Sequence, residues 1–159
     1  IARRQRLMCI RDSLHFFHTM ALVLWVGGIV SIGGIVAPVA FRELPDRNSA
    51  GKIIGLSLQR FDVLVAICIV LLVATSTLMA LWYGRWSAWY AIQYTCIALM
   101  SISATVSMTI VAPRMRSLRS SSTRHQTPES AAEFGRLHQF SVISMQFNLA
   151  CGTVAILFS

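Results

Sequence analysis

Charge is what this sequence has least of. Only 13% of the residues are Asp, Glu, Lys or Arg, and the stretch from His15 to Phe41, HFFHTMALVLWVGGIVSIGGIVAPVAF, contains none. With 55% hydrophobic residues and a mean hydropathy of +0.64, the chain is too apolar for an ordinary soluble domain. Four cysteines are present, but Cys68, Cys96 and Cys151 sit inside apolar runs and no pair has the spacing of a metal clip. A disulfide framework and a cysteine-bound zinc are therefore not expected. Acidic residues number 6 against 14 basic ones, a formal charge of +8. The basic residues fall between apolar runs, where the positive-inside rule accounts for them, so nucleic acid is not expected as a partner. No cleavable signal is apparent, because the first apolar run is too long and lacks a small-residue cleavage site.

What the chain does have is four apolar runs. A bilayer core needs roughly 20 helical residues, and the runs satisfy this at about 14–41, 62–83, 87–112 and 134–158. The expected fold is all-α, a polytopic four-helix transmembrane bundle in one domain over 14–159, with no obvious internal repeat. Residues 1–13 are basic and unlike the rest of the chain. Their MCIRDS string resembles translated adapter sequence, so they are expected to be a non-native or disordered tail.

In the first run Gly27, Gly28, Gly33 and Gly34, with Ser31 and Ala37, offer small faces for close helix packing. The connection after Phe41 has a turn at Pro45-Asp46, with Asn48 or Ser49 placed to cap a short amphipathic helix leading into span two. Trp82, Tyr83, Trp86, Trp89 and Tyr90 cluster around Gly84 in a corner at headgroup depth. Ser101, Thr105 and Thr109 share a face of span three. The Ser-rich segment after Pro113 reads as a flexible loop, with a helical lead-in at 131–135 and His125 solvated.

Arg42, Arg47, Lys52 and Arg60 lie in the first connection and Arg114, Arg116, Arg119, Arg124 and Arg136 in the third, against Arg85 in the second. Basic connections belong in the cytoplasm, which puts both ends of the chain outside. His15 and His18 then lie near the outer end of span one and His138 near the inner end of span four, too far apart to share a metal or haem. His15 and His18 share a helix face and form a weak two-nitrogen metal site at most.

Span four carries His138, Ser141, Met145, Asn148 and Gly152 at alternating spacings of three and four, so one face points inward. An amide in lipid is costly unless it finds partners, which makes Asn148 a candidate site residue. Counting inward from the span ends puts Asn148 level with Gly28, Thr75 or Ser76, and Ser101, as a midplane polar cluster. The same counting puts His138 at the depth of Asp62, Arg42 and Arg114.

The order His18, Trp25, Gly27-Gly28, Ala37-Pro38 and Phe41-Arg42, then LPDR, APRMR and FGRLHQFS with an Asn further on, resembles the transmembrane-protein-205-like family of four-helix membrane proteins. That resemblance implies four spans, membrane residence and no settled activity, and points to His18, Trp25, Pro38, His138, Ser141 and Asn148. A weaker likeness, His and WxGG at a helix start, is to copper-resistance-D-type membrane proteins; Met20, Met79, Met100, Met108 and Met145 form no MxxxM cluster that would strengthen it. A third reading is a haem-binding four-helix membrane oxidase. The leading expectation is a non-enzymatic protein of a bacterial inner membrane, without cofactor, whose partners are the bilayer, a small solute or metal, and a further copy of itself.

Overall fold

The structure, a computed structural model, describes residues 2–83, 88–122 and 128–158. Every element in these residues is helical: α1 (Ala2–Ser31), α2 (Ala37–Glu43), α3 (Arg47–Tyr83), α4 (Ala88–Val106), α5 (Ala112–Ser122) and α6 (Pro128–Leu157), with π-helical segments at Ile32–Val36 and Ser107–Val111. Four stretches are long and apolar enough to cross a membrane, Met8–Glu43, Ser49–Trp82, Trp89–Leu118 and Ala132–Leu157. Helices are what a bilayer core permits, since each satisfies its own backbone groups. The molecule is an all-α, four-helix membrane protein.

Both π-helical segments have the same cause. Each ends two residues before a proline, Pro38 or Pro113, which offers no N–H to the carbonyl four residues back and crowds it. The chain answers by widening one turn: the N–H of Ala37 reaches the Ile32 carbonyl and that of Ala112 reaches Ser107, five residues away in each case. The duplication extends further. Ile-Val-Ala-Pro occurs at 35–38 and again at 110–113, and the same interval carries His18 onto Gln93, Leu22 onto Ile97, Trp25 onto Met100 and Ile29 onto Ala104. All eight are buried. Spans one and three thus share this string and the register of their buried positions, a short similarity beyond the expectation of no obvious internal repeat.

Helix boundaries differ from expectation at several points. α1 begins at Ala2, so the stretch expected to be a tail is continuous with span one. Leu44, extended at φ −92° and ψ 132° before Pro45, ends α2. Asp46, rather than Asn48 or Ser49, caps α3: its Oδ2 accepts from the backbone N–H and the hydroxyl of Ser49, both at 3.2 Å. No break separates the amphipathic lead-in from span two, because nothing between Arg47 and Tyr83 interrupts the hydrogen-bond ladder. Beyond Pro113 the chain continues as α5 to Ser122 instead of entering a loop, and α6 starts at Pro128 rather than at Ala131. The corner at 84–87 and His125 lie outside the described residues; the flanking Trp82, Trp89 and Tyr90 are exposed, and Trp89 stacks on Phe158 with ring centroids 5.1 Å apart.

The four spans form a ring. α6 packs most extensively on α4 and also on α1, α1 packs on α3, and α3 and α4 touch lightly. Connectivity makes every neighbour antiparallel. Inside are Leu22, Trp25, Cys68, Leu72, Met100 and Ala155; outside are Val23, Val63, Val70, Leu81 and Ile102, all exposed. Only 22–28% of each span's most apolar window is buried within the protein, so apolar side chains cover the outer face and contact lipid.

Close approach is confined to a few glycines. A Cβ on Gly28 would collide with the Phe61 ring of α3, and one on Gly152 with Val26 of α1 and Met100 of α4, whose Cε stands 3.1 Å away. Gly33 faces Met145 at an ordinary 3.5 Å, while Gly27 and Gly34 have nothing within 4 Å.

Candidate functional site: two buried polar layers

Polar side chains inside the bundle gather in two layers rather than in one midplane cluster. The first draws one group from each span. His18 of α1 is 1% exposed; its Nδ1 lies 2.9 Å from Thr75 Oγ1 of α3, and its Nε2 lies 3.2 Å from Gln93 Nε2 of α4. Gln93 Nε2 also donates to the Ala155 carbonyl of α6 at 3.5 Å. The hydrogen placement follows from the network. The Thr75 hydroxyl spends its proton on its own helix, at the Leu71 carbonyl 2.7 Å away with Leu72 at 3.2 Å, so towards His18 it can only accept. Nδ1 therefore carries the ring proton and Nε2 accepts from the Gln93 amide, whose second N–H goes to Ala155. Donors meet acceptors throughout, and four helices are tied at one level.

The second layer lies between α4 and α6, roughly 10 Å further along α6, seven residues from Ala155 to Asn148. Ser103 and Ser144 share a hydrogen bond of 2.8 Å. Asn148, 5% exposed, donates from Nδ2 to Ser103 Oγ over a long 3.5 Å, and its Oδ1 is buried without a partner among the described residues. Ser76 Oγ on α3 is in the same condition. The π-helical segment Ser107–Val111 begins one turn beyond Ser103 and touches α6; the other lies on α1, where Gly33 faces Met145 of α6.

The polar residues singled out in the sequence are distributed between and beyond these layers. Asn148 does face inward, but its hydrogen bond goes to Ser103, and none joins it to Thr75, Ser76 or Ser101. Phe61 fills the space over Gly28, and Thr75 is taken by His18. Ser101, Thr105 and Thr109 each bond back to their own helix at 2.7 to 2.8 Å, and the two threonines are exposed to the lipid side. His138 is exposed and stacks in parallel on Phe134, centroids 6.4 Å apart; no hydrogen bond or ion pair joins it to Asp62. Arg114 instead pairs with Glu133 at 2.8 Å on the surface. Ser141 is half-buried two turns before Asn148. Sequence reasoning notes Gln93 among the polar residues along span three without giving it a partner and passes over Ser103 and Ser144, although the repeated Ile-Val-Ala-Pro puts Gln93 in register with His18.

His15 is half-exposed, one turn before His18. Copper or haem at this place does not fit the donors: both ring nitrogens of His18 are committed to Thr75 and Gln93, and no group of three or more His, Cys, Asp or Glu converges among the described residues.

Residues 20–124 match the model of a family described as a domain of unknown function, DUF4149. The chain belongs to this family. The DUF4149 match takes in Thr75, Gln93, Ser103 and both π-helical segments with their prolines; His18 lies two residues ahead of it, and α6 with Ser144 and Asn148 lies beyond it. Neither the curated proteins nor the solved structures contain a match to the chain.

Proposed function

We propose that this DUF4149 protein handles a small neutral polar solute at the Ser103–Ser144–Asn148 layer, in a bacterial inner membrane with its basic connections in the cytoplasm. The observation that carries this reading is the unpartnered Asn148 Oδ1. A buried amide acceptor in an apolar interior is costly, about 1–3 kcal/mol when nothing bonds to it, and a partly satisfied network is worse than an apolar one. A solute offering an N–H or O–H to Oδ1, and a lone pair to one of the serine hydroxyls, completes the layer. The layer's own polar groups, two hydroxyls and an amide, are uncharged, which favours a neutral solute over an ion. The satisfied His18 layer lies on the side away from the basic connections, so it closes that side, while the two π-helical segments flank α6 on the other. Such interruptions occur often at functional sites in membrane helices.

Cysteine accessibility tests this. In a variant with Cys9, Cys68, Cys96 and Cys151 replaced by Ala or Ser, Asn148→Cys should react with a small hydrophilic methanethiosulfonate added from the side of the basic connections. Protection of Asn148→Cys from both sides, while Glu129→Cys reacts freely from one, overturns the solute path. Reaction of Glu129→Cys from outside intact cells overturns the orientation.

A further inference from the structure

The two layers leave unused a pair of thiols between them. Cys96 on α4 and Cys151 on α6 are half-buried, each one turn from a residue of the layers already described: three residues past Gln93 and three past Asn148. α4 and α6 are the most extensively packed helices of the bundle. Their approach is set beside Cys151 by Gly152, whose missing side chain admits Met100, one turn beyond Cys96, to 3.1 Å of where a Cβ would stand. The two thiols are close enough to interact with one another across this contact, and both border the cluster of Leu22, Ile97 and Met100.

We propose that Cys96 and Cys151 form a reversible redox pair, closing to a disulfide that locks α4 to α6. Thiols that face one another across closely packed helices need little backbone movement to reach bonding distance. A monovalent soft ion such as Cu(I) held by two thiolates would leave a net negative charge in an apolar interior; a disulfide is neutral. The electron acceptor that fits is a quinone dissolved in the bilayer. The S–S bond forms as both S–H bonds break, and the two protons and two electrons pass to the quinone, giving a quinol, so every species on both sides is uncharged. Cys68, buried in α3, and Cys9, exposed near the start of α1, have no part in it.

The inference is independent of the solute reading. The full chain, reconstituted in vesicles, is treated with decylubiquinone or with diamide, then denatured in excess maleimide and weighed intact. Untreated protein should take up four maleimides, one for each free cysteine, and oxidised protein two, with the Cys96–Cys151 link found in a digest. Cys96→Ala should take up three whether or not oxidant is added, and Cys68→Ala should fall from three to one. Uptake of four after both oxidants, or a link that involves Cys9 or Cys68, overturns the proposal.

Discussion

Replacing Gln93 by Leu removes the amide that joins three of the four spans, and its cost can be worked from the contacts. Two hydrogen bonds are lost, to His18 Nε2 at 3.2 Å and to the Ala155 carbonyl at 3.5 Å. Bonds between membrane helices are worth about 0.6 kcal/mol each on average, which gives about 1 kcal/mol. The larger part comes from His18, 1% exposed, whose Nε2 is left facing apolar carbon. A tautomer change does not help, because it would turn an N–H towards the same Leu. An orphaned buried acceptor adds at least about 1 kcal/mol, so Gln93→Leu should destabilise the bundle by at least about 2 kcal/mol. His18→Leu should cost a similar amount, since it orphans one Gln93 N–H and removes the bond to Thr75. The double variant leaves neither group to orphan the other, and should cost about 2 kcal/mol, well short of the roughly 4 kcal/mol expected from adding the singles. Unfolding in mixed micelles on titration with dodecyl sulfate, followed by tryptophan emission, measures all three, with Trp25 packed two turns from His18 as the reporter. Additive single and double variants, or a Gln93→Leu protein as stable as the parent, would refute the reasoning.

The paired glycines should separate cleanly in the same assay. Gly28→Ala should lose about 1–3 kcal/mol because its Cβ meets the Phe61 ring, whereas Gly27→Ala, which meets nothing within 4 Å, should be neutral or gain up to about 1 kcal/mol from helix propensity. Gly152→Ala should be as costly as Gly28→Ala, since the Val26 methyl it strikes belongs to a stiff β-branched side chain. Breaking the surface pair with Glu133→Gln should change stability by less than about 1 kcal/mol and less still at high salt, because both partners are exposed.

The contrast between neighbouring glycines shows where the sequence stops being legible. Hydropathy gives the four spans, because an uncharged run can only be satisfied in lipid. The inward face of span four is readable from the three-and-four spacing that ends on Asn148. Neither reveals the rotation of one helix about another, and that rotation decides that Phe61 rests on Gly28 and leaves Gly27 to lipid. Counting residues from span ends fails for a related reason. Helices running past the bilayer, such as α3 starting at Arg47, have no sequence-visible zero from which depth can be counted. Counting therefore puts Thr75 at the level of Asn148, whereas it belongs with His18. The repeat of Ile-Val-Ala-Pro supplies the missing reference, since it aligns span one with span three and brings His18 and Gln93 into register without any knowledge of depth. Ser144 stays hidden because a serine in a membrane helix can satisfy itself on its own backbone, as Ser101 does.

The proposed division of labour, one polar layer holding the bundle and the other left incomplete for a solute, is tested most directly by Asn148→Leu. With its single long bond to Ser103 and an unpartnered Oδ1, Asn148 gives the solute-free protein less than it costs, and the Ser103–Ser144 bond survives its removal. The solute-free Asn148→Leu protein should therefore unfold at a dodecyl sulfate fraction equal to or higher than the parent, by up to about 1 kcal/mol. A loss of about 2 kcal/mol, matching Gln93→Leu, would contradict the account and make Asn148 another tie between helices.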